Sequence, residues 1–132
     1  DTITYVPGAK VAWTGNMTGG NLIVALECDA PTYLDAIARF RRTLDVETLV
    51  PAHNPVSTDA VLDGYLLYLS QVTAAVRHGA GAGWSLEEAM EKIPLDMGQP
   101  YSPPGDHPRI DFFRDLHAYN VQKTYLSIAG NE

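Results

Sequence analysis

The chain of 132 residues has a single cysteine, few basic side chains and no long apolar run. One thiol, Cys28, excludes an internal disulfide, and its position just after the apolar run 22–26 predicts a buried structural thiol. No segment approaches the roughly 20 apolar residues that cross a bilayer, so we expect no membrane partner and a cytoplasmic location. The 9 Lys and Arg residues are outnumbered by 16 Asp and Glu residues. The resulting net charge of −7 argues against a nucleic-acid partner.

The beginning of the chain already has the alternating pattern of a strand, over residues 3–6. A length of 132 residues suits one domain with a modest core. Because a domain rarely begins inside a strand, we expect this chain to be the distal piece of a longer polypeptide. Its N-terminal half would then be a partner, present as a separate or cleaved chain.

The first part of the chain predicts a strand–helix–strand unit. Apolar runs at 11–13 and 48–50 are typical of strands, and between them a helix is expected to start at the cap residue Asp29. In such a unit both strands end at the same edge of the sheet, where α/β folds bind ligands. That edge would bring together the loops 14–16 and 51–55.

The second part of the chain predicts helices. We expect one to begin at Ser57 or Thr58 and to run to about His78, where the glycines of 79–83 break it. A capping box at Ser85 begins the next helix, 96–108 is a proline-rich loop that does not pack, and a last helix covers about 110–126. The predicted organisation is therefore residues 1–78 as an α/β unit and 79–132 as a helical extension.

Two short motifs carry the candidate chemistry. Thr14-Gly15-Asn16 ends one strand, and Pro51-Ala52-His53-Asn54-Pro55 ends the other. A histidine between two prolines, directly after a buried strand, has little backbone freedom, as a metal ligand or an acid/base group requires. A histidine that only hydrogen-bonds within its loop is the alternative. The remaining histidines, His78, His107 and His117, show no comparable spacing.

These two segments resemble the distal half of the metallo-β-lactamase-fold hydrolases. In that superfamily one strand ends in Thr-Gly-Asp, whose aspartate bridges two metal ions, and a later strand ends in Gly-His-Gly-Pro. The resemblance implies an α/β fold, the distal half of an αββα sandwich with additional C-terminal helices. It implies His53 as a metal ligand, Asn16 beside the metal, and Met17 and Asn54 as substrate contacts. The implied cofactor is zinc, as one or two ions, with iron as the other candidate.

The chain departs from the family pattern in three ways. Asn16 is neutral, so it lacks the charge that holds two dications close together. Ala52 and Asn54 replace the glycines that flank the family's histidine. The upstream His-x-His-x-Asp-His cluster is absent, although a catalytic zinc site needs about three protein ligands. We therefore expect the N-terminal half to supply the other ligands.

The function that the resemblance implies is a hydrolase that uses metal-activated water on a small-molecule ester, thioester or lactone, as a thioesterase or lactonase does. A non-hydrolytic member such as a polyketide cyclase is one alternative, and a degenerate binding module without a competent metal is another. A nucleic-acid-processing member is disfavoured by the acidic composition. The sequence is also compatible with a homo-oligomer.

Overall fold

The computed structural model of the protein describes residues 2–18 and 23–130, so Asp1 and Leu22, the first residue of the apolar run 22–26, lie outside the described residues. Within these ranges the chain forms one sheet and several helices. The strands are β1 (Thr4–Val6), β2 (Val11–Gly15), β3 (Thr48–Pro51) and β4 (Ser57–Thr58), with a 3-10 turn at Pro7–Ala9. The α-helices are α1 (Ala30–Thr43), α2 (Val61–Gly81), α3 (Leu86–Lys92) and α4 (Ile110–Gly130). The predicted α/β class is confirmed.

The sheet has the strand order β1-β2-β3-β4. Strands β2 and β3 are parallel, with Ala12 opposite Leu49, and α1 connects them along the chain. The outer strands β1 and β4 are antiparallel to their neighbours. The predicted strand–helix–strand unit is therefore confirmed, and the two central strands end at the same edge of the sheet.

Helix α1 begins at the predicted cap. The Asp29 carboxylate accepts a hydrogen bond from the Thr32 amide at 2.9 Å, and this cap satisfies one of the free donors of the first turn. Pro31 lies in the same turn, where a missing amide donor costs little. The buried side chains of the helix are Ala30, Tyr33, Ile37 and Phe40.

The start of α2 differs from the prediction. Ser57 and Thr58 form strand β4 and pair with Leu49 and Thr48, so the prediction that one of them begins a helix is wrong. The helix begins at Val61 without a side-chain cap. Pairing with β3 gives these backbone groups hydrogen-bond partners, and this tertiary pairing outweighs the local preference of Ser and Thr for helix caps.

The end of α2 differs as well, because the helix continues past His78 to Gly81. Gly79 is buried beneath an indole ring: a Cβ atom at this position would lie 2.5 Å from Cε3 of Trp84. The amide of Trp84 also donates to the carbonyl of Gly79 at 3.0 Å. Gly79 therefore permits a close approach within the helix instead of ending it. After the end of α2, the residue that adopts the left-handed conformation is Gly83, with a φ of 77°.

The remaining elements follow the prediction more closely. In the capping box of α3, the Glu88 amide donates to Ser85 Oγ at 3.2 Å, and the Ser85 amide donates to Glu88 Oε2 at 2.9 Å. Helix α4 extends past the predicted end to Gly130.

The segment 96–108 contains no helix or strand, but Tyr101 and Pro103 are buried, so the expectation that this loop does not pack is wrong.

The two faces of the sheet have different surroundings. Ala12, Thr14 and Leu49 point to one face and are fully buried, and the first and last belong to a core that includes side chains of α1, α2 and α4. The side chains that alternate with these along the strands point to the opposite face. There Trp13 is 45% exposed and Val6 is 42% exposed. The described residues thus form a helical layer and a sheet layer, and leave an apolar sheet face in contact with solvent.

Three further predictions concern the chain as a whole. The predicted boundary at residue 78 falls inside α2, and one cluster of buried side chains includes residues from both sides of it. Cys28 is half-buried and packs against that cluster, and burial raises the pKa of its thiol. Of the helices in the described ranges, none has both the length and the apolar composition that a membrane crossing requires.

Candidate active site

Strand β2 ends in a tight turn that carries Asn16 out of the sheet. Gly15 has a φ of 55°, in the left-handed region that favours glycine. The Met17 amide donates to the Thr14 carbonyl at 3.0 Å and closes the turn. Beneath it, the buried hydroxyls of Thr14 and Thr18 are hydrogen-bonded at 2.9 Å. Asn16 is thereby exposed on a turn that is held from below.

The loop after β3 is tied to that turn. The Ala52 amide donates to the Gly15 carbonyl at 2.8 Å, which extends the contact between the two parallel strands into their loops. His53 and Asn54 follow and are exposed. Asn54 has a φ of 70°, a conformation that asparagine adopts more readily than most residues. The two motif loops are therefore neighbours, as the strand–helix–strand unit predicts.

A cavity of about 470 Å³ lies beside these loops. Sites for small molecules typically have about 300–1,000 Å³, so the space is sufficient for a modest ligand. Asn16, His53 and Asn54 form its polar side. Its apolar lining comes from the loop before α1 and from α4, through Ile23, Ala25, Phe112, Phe113 and Leu116.

The beginning of α4 forms a second polar position in the cavity wall. The guanidinium carbon of Arg109 lies 4.2 Å from the centre of the Phe112 ring, a cation–π contact. The Arg109 amide donates to Nδ1 of His107 at 3.0 Å. The His107 ring in turn packs edge-on against Phe113, with the ring centres 5.3 Å apart. These contacts fix the backbone from which the Arg109 side chain extends.

The loop 23–27 has no strand or helix, and a side chain of α4 satisfies its backbone. Asn120 is fully buried, and its Oδ1 accepts from the Leu26 amide at 2.9 Å. Its Nδ2 donates to the Val24 carbonyl at 2.9 Å and to the Tyr68 hydroxyl at 3.0 Å. One amide group therefore holds this wall of the cavity to both α2 and α4.

The buried hydrogen bonds continue to His117. Its Nε2 lies 2.8 Å from the Ile93 carbonyl, which can only accept, so the ring proton is assigned to Nε2. Nδ1 then accepts from the Tyr68 hydroxyl at 3.0 Å. Burial lowers the pKa of His117 and raises that of Tyr68, so both side chains are neutral at pH 7. His117 therefore contributes to the packing of the helices and does not line the cavity at the sheet edge.

Three of the four predicted site residues line the cavity, namely Asn16, His53 and Asn54. Met17, predicted as a substrate contact, is placed elsewhere. Its side chain belongs to the hydrophobic core, and the Tyr33 hydroxyl donates to its carbonyl at 3.0 Å. The tight turn before it directs the chain inward at this residue.

Sequence reasoning missed Glu27, Arg109 and Phe112, which also line the cavity. The signal for the last two is a basic and an aromatic residue three positions apart at the start of a helix, where such residues are neighbours on one side. Nothing local to the sequence relates that helix to the loops after β2 and β3. Only the packing of α4 on the rest of the fold brings them together.

Among the described residues, the potential metal donors at the cavity are too few to hold an ion by themselves. In residues 2–18 and 23–130, no three His, Cys, Asp or Glu side chains are grouped so as to hold an ion. The imidazole of His53, the amide of Asn16 and the carboxylate of Glu27 line the same cavity. Because a catalytic zinc site needs about three protein ligands and an open position, these donors fit such a site only with further ligands.

Comparison with known proteins shows a likeness of fold. The chain is similar to the stereoselective inverting sec-alkylsulfatase Pisa1 from Pseudomonas sp., with a TM-score of 0.64 and 16% sequence identity. The match covers 97% of this chain and 22% of that enzyme. Because that enzyme has the metallo-β-lactamase fold, the likeness confirms the expected partial α/β layer of this fold class. No protein-family profile and no curated protein matches the chain.

Proposed function

We propose that the chain forms one layer of a metal-dependent hydrolase of the metallo-β-lactamase superfamily. The reaction would use metal-activated water on an ester, thioester or lactone. The observation that carries the proposal is that His53 and Asn16 leave adjacent parallel strands beside one cavity. The hydrogen bond between the two loops supports a fixed separation of these side chains. The likeness of fold to a hydrolase of this class supports it further.

The roles of the residues follow from their donors. An imidazole nitrogen of His53 would ligate the metal, and the Asn16 amide would ligate weakly or hydrogen-bond a water molecule. A bound zinc ion, or iron in its place, supplies a water of lowered pKa and polarises a carbonyl group. Asn54 would contact the polar end of a substrate at the cavity. The apolar wall from α4 would hold the substrate body and exclude water.

The other metal ligands would come from an N-terminal half that packs on the uncovered sheet face. This face includes Val6 and Trp13, both more than two-fifths exposed. Sheets in sandwiches pack about 10 Å apart through apolar faces, and each Å² of apolar surface removed from water contributes about 25 cal/mol. The exposed face therefore supports a second sheet as its occupant, on a separate or a cleaved chain.

A non-catalytic binding module is the second candidate. The observation in its favour is that Asn16 stands where the family has a bridging carboxylate, while the described residues form no three-ligand group. Such a module would retain the fold and the cavity without a competent metal. A non-hydrolytic enzyme such as a polyketide cyclase would retain the metal and lack turnover of esters, thioesters and lactones.

Native mass spectrometry with metal analysis tests the proposal. We expect a companion polypeptide and one or two zinc ions, and turnover of a panel of activated esters, thioesters and lactones. His53→Ala should lose metal and activity together, because it removes the imidazole donor. The matched control is His78→Ala, since the His78 side chain is exposed on α2 and packs edge-on against Trp84. A bare 14.4 kDa species without metal would contradict the enzyme and leave the binding module.

A further inference from the structure

We propose that the cavity takes a ligand with an apolar body and an oxyanion, and that Arg109 binds the oxyanion. The inference deepens the proposed function and rests on it, because it names the substrate class of the same cavity. It starts from the α4 wall, which no motif in the sequence marks. Among the lining residues, Arg109 is the one lysine or arginine in the described ranges. The rest of the lining is polar at the sheet edge and apolar along α4.

Arg109 has a positive charge that the described residues do not neutralise. Arg41 is paired with Asp63, and Arg114 with Asp111 at 3.1 Å, whereas Arg109 is the arginine that lines the cavity in the described ranges. No carboxylate in residues 2–18 or 23–130 lies within ion-pair distance of Arg109. In a protein with a net charge of −7, an unpaired cation in a cavity wall marks a position where an anion is favoured locally.

The guanidinium group is oriented before any ligand binds. Its guanidinium carbon lies 4.2 Å from the centre of the Phe112 ring, and this cation–π contact restricts the side chain to the cavity wall. Its backbone is held by the acceptor nitrogen of His107. A planar guanidinium edge matches carboxylate and phosphate oxygens in a two-pronged geometry. Less side-chain entropy is lost on binding when the donor is already stacked in place.

The other charges at the cavity set where the oxyanion lies. Glu27 contributes a carboxylate to the lining, and it is not within ion-pair distance of Arg109. Its charge disfavours an anion near the loop before α1, so the anion is best placed beside Arg109. The rest of the ligand then lies on the apolar lining, which includes Phe113 and Leu116. An amphiphilic anion satisfies both parts of the wall.

Binding of three eight-carbon probes to the purified protein tests the inference without any need for catalysis. The probes are octanoate, octylphosphonate and octanol, each titrated below its aggregation concentration by calorimetry. We expect both anions to bind more tightly than octanol, and their ratio to show whether a carboxylate or a phosphonate fits better. Arg109→Gln should weaken the anions about tenfold, as the loss of one charge-assisted hydrogen bond predicts, and leave octanol unchanged.

Three further variants sharpen the result. Arg114→Gln removes an equal charge from the first turns of α4, close along the chain to Arg109, at a residue that does not line the cavity, and should leave binding unchanged. Arg109→Lys keeps the charge without the planar edge, and should recover only part of the affinity. Glu27→Gln removes the opposing charge and should tighten both anions. Circular dichroism melts of each variant establish that the fold is retained.

The outcomes separate this inference from the proposed function. Equal binding of octanoate and octanol, or equal losses in Arg109→Gln and Arg114→Gln, would overturn the inference even if zinc is bound at His53. Selective anion binding that depends on Arg109 in a protein without metal supports the inference, and the cavity is then that of a binding module. Absence of binding by all three probes at millimolar concentration also overturns it.

Discussion

The buried amide of Asn120 holds the loop 23–27, which contributes one wall of the cavity. It is fully buried and makes three hydrogen bonds, to the Leu26 amide, the Val24 carbonyl and the Tyr68 hydroxyl. Asn120→Leu keeps a side chain of similar size and removes all three. The buried Leu26 amide and the half-buried Val24 carbonyl then lose their partner, and an unsatisfied buried group costs about 1–3 kcal/mol.

The expected loss in the free energy of unfolding is therefore about 2–5 kcal/mol, a large part of the roughly 5–15 kcal/mol of a typical domain. With a urea dependence of about 2 kcal/mol per molar, the unfolding midpoint should fall by about 1–2.5 M. Urea unfolding followed by circular dichroism measures this shift. Hydrogen exchange at the Leu26 amide should also become fast, since its acceptor is gone.

Gln122→Leu is the matched control, because Gln122 is a half-buried amide on the same helix outside this network. It should change the free energy of unfolding by only a few tenths of a kilocalorie per mole, as substitutions away from buried networks do. A midpoint in Asn120→Leu equal to that of the control, with the Leu26 amide still protected, would refute the argument that this amide holds the loop 23–27.

Two further predictions concern pH and packing. Burial lowers the pKa of His117 in the folded protein, so the unfolded chain binds a proton more readily once the pH falls below the unfolded value of about 6.5. The contribution of His117 to stability should be fully present above that pH and should decline as the pH falls from about 6.5 towards the folded pKa. His117→Gln should flatten this pH dependence of the urea midpoint. Parallel pH dependences in the variant and the unmodified protein would contradict the assignment. Gly79→Ala places a Cβ atom 2.5 Å from Cε3 of Trp84 and should cost about 1–3 kcal/mol in thermal unfolding, because the ring must move. Gly81→Ala, in open space on the same helix, should be stabilising by up to about 1 kcal/mol, and equal effects of the two would show that the indole yields freely.

The parts of the fold that sequence predicted well are those governed by local chemistry. The Asp29 cap and the Ser85 capping box depend on a few neighbouring residues, and both are present. The central strand–helix–strand unit follows from apolar periodicity together with its length, and it too is confirmed. These features recur wherever the same short patterns occur, so a single sequence suffices to place them.

The parts that sequence predicted poorly depend on contacts between distant segments. Ser57 and Thr58 are residue types that favour helix caps, yet they form a strand that pairs with β3. Gly79 is a residue type that often ends helices, yet it lies within α2 beneath Trp84. In both cases a tertiary partner outweighs the local preference, and that partner is not visible within a short window of sequence.

The candidate site divides along the same line. Asn16, His53 and Asn54 were predictable because each follows a strand whose end lies at one edge of the sheet. Arg109 and Phe112 come from a helix that begins more than fifty residues after His53, and no periodicity links the two. The part of the cavity at the sheet edge could therefore be derived from the sequence, while the part contributed by Arg109 and α4 required the packing of the fold.

The uncovered sheet face gives the protein an optical reporter of its own. Trp13 stands on that face and is 45% exposed, whereas Trp84 is half-buried over Gly79 with the Lys92 ammonium 4.8 Å from its ring centre. A soluble collisional quencher therefore reaches the two indoles unequally, and the accessible fraction of the emission comes mainly from Trp13. Any layer that docks on the sheet shields this indole and shifts its emission to the blue, so that assembly and its dissociation can be followed in real time without a label.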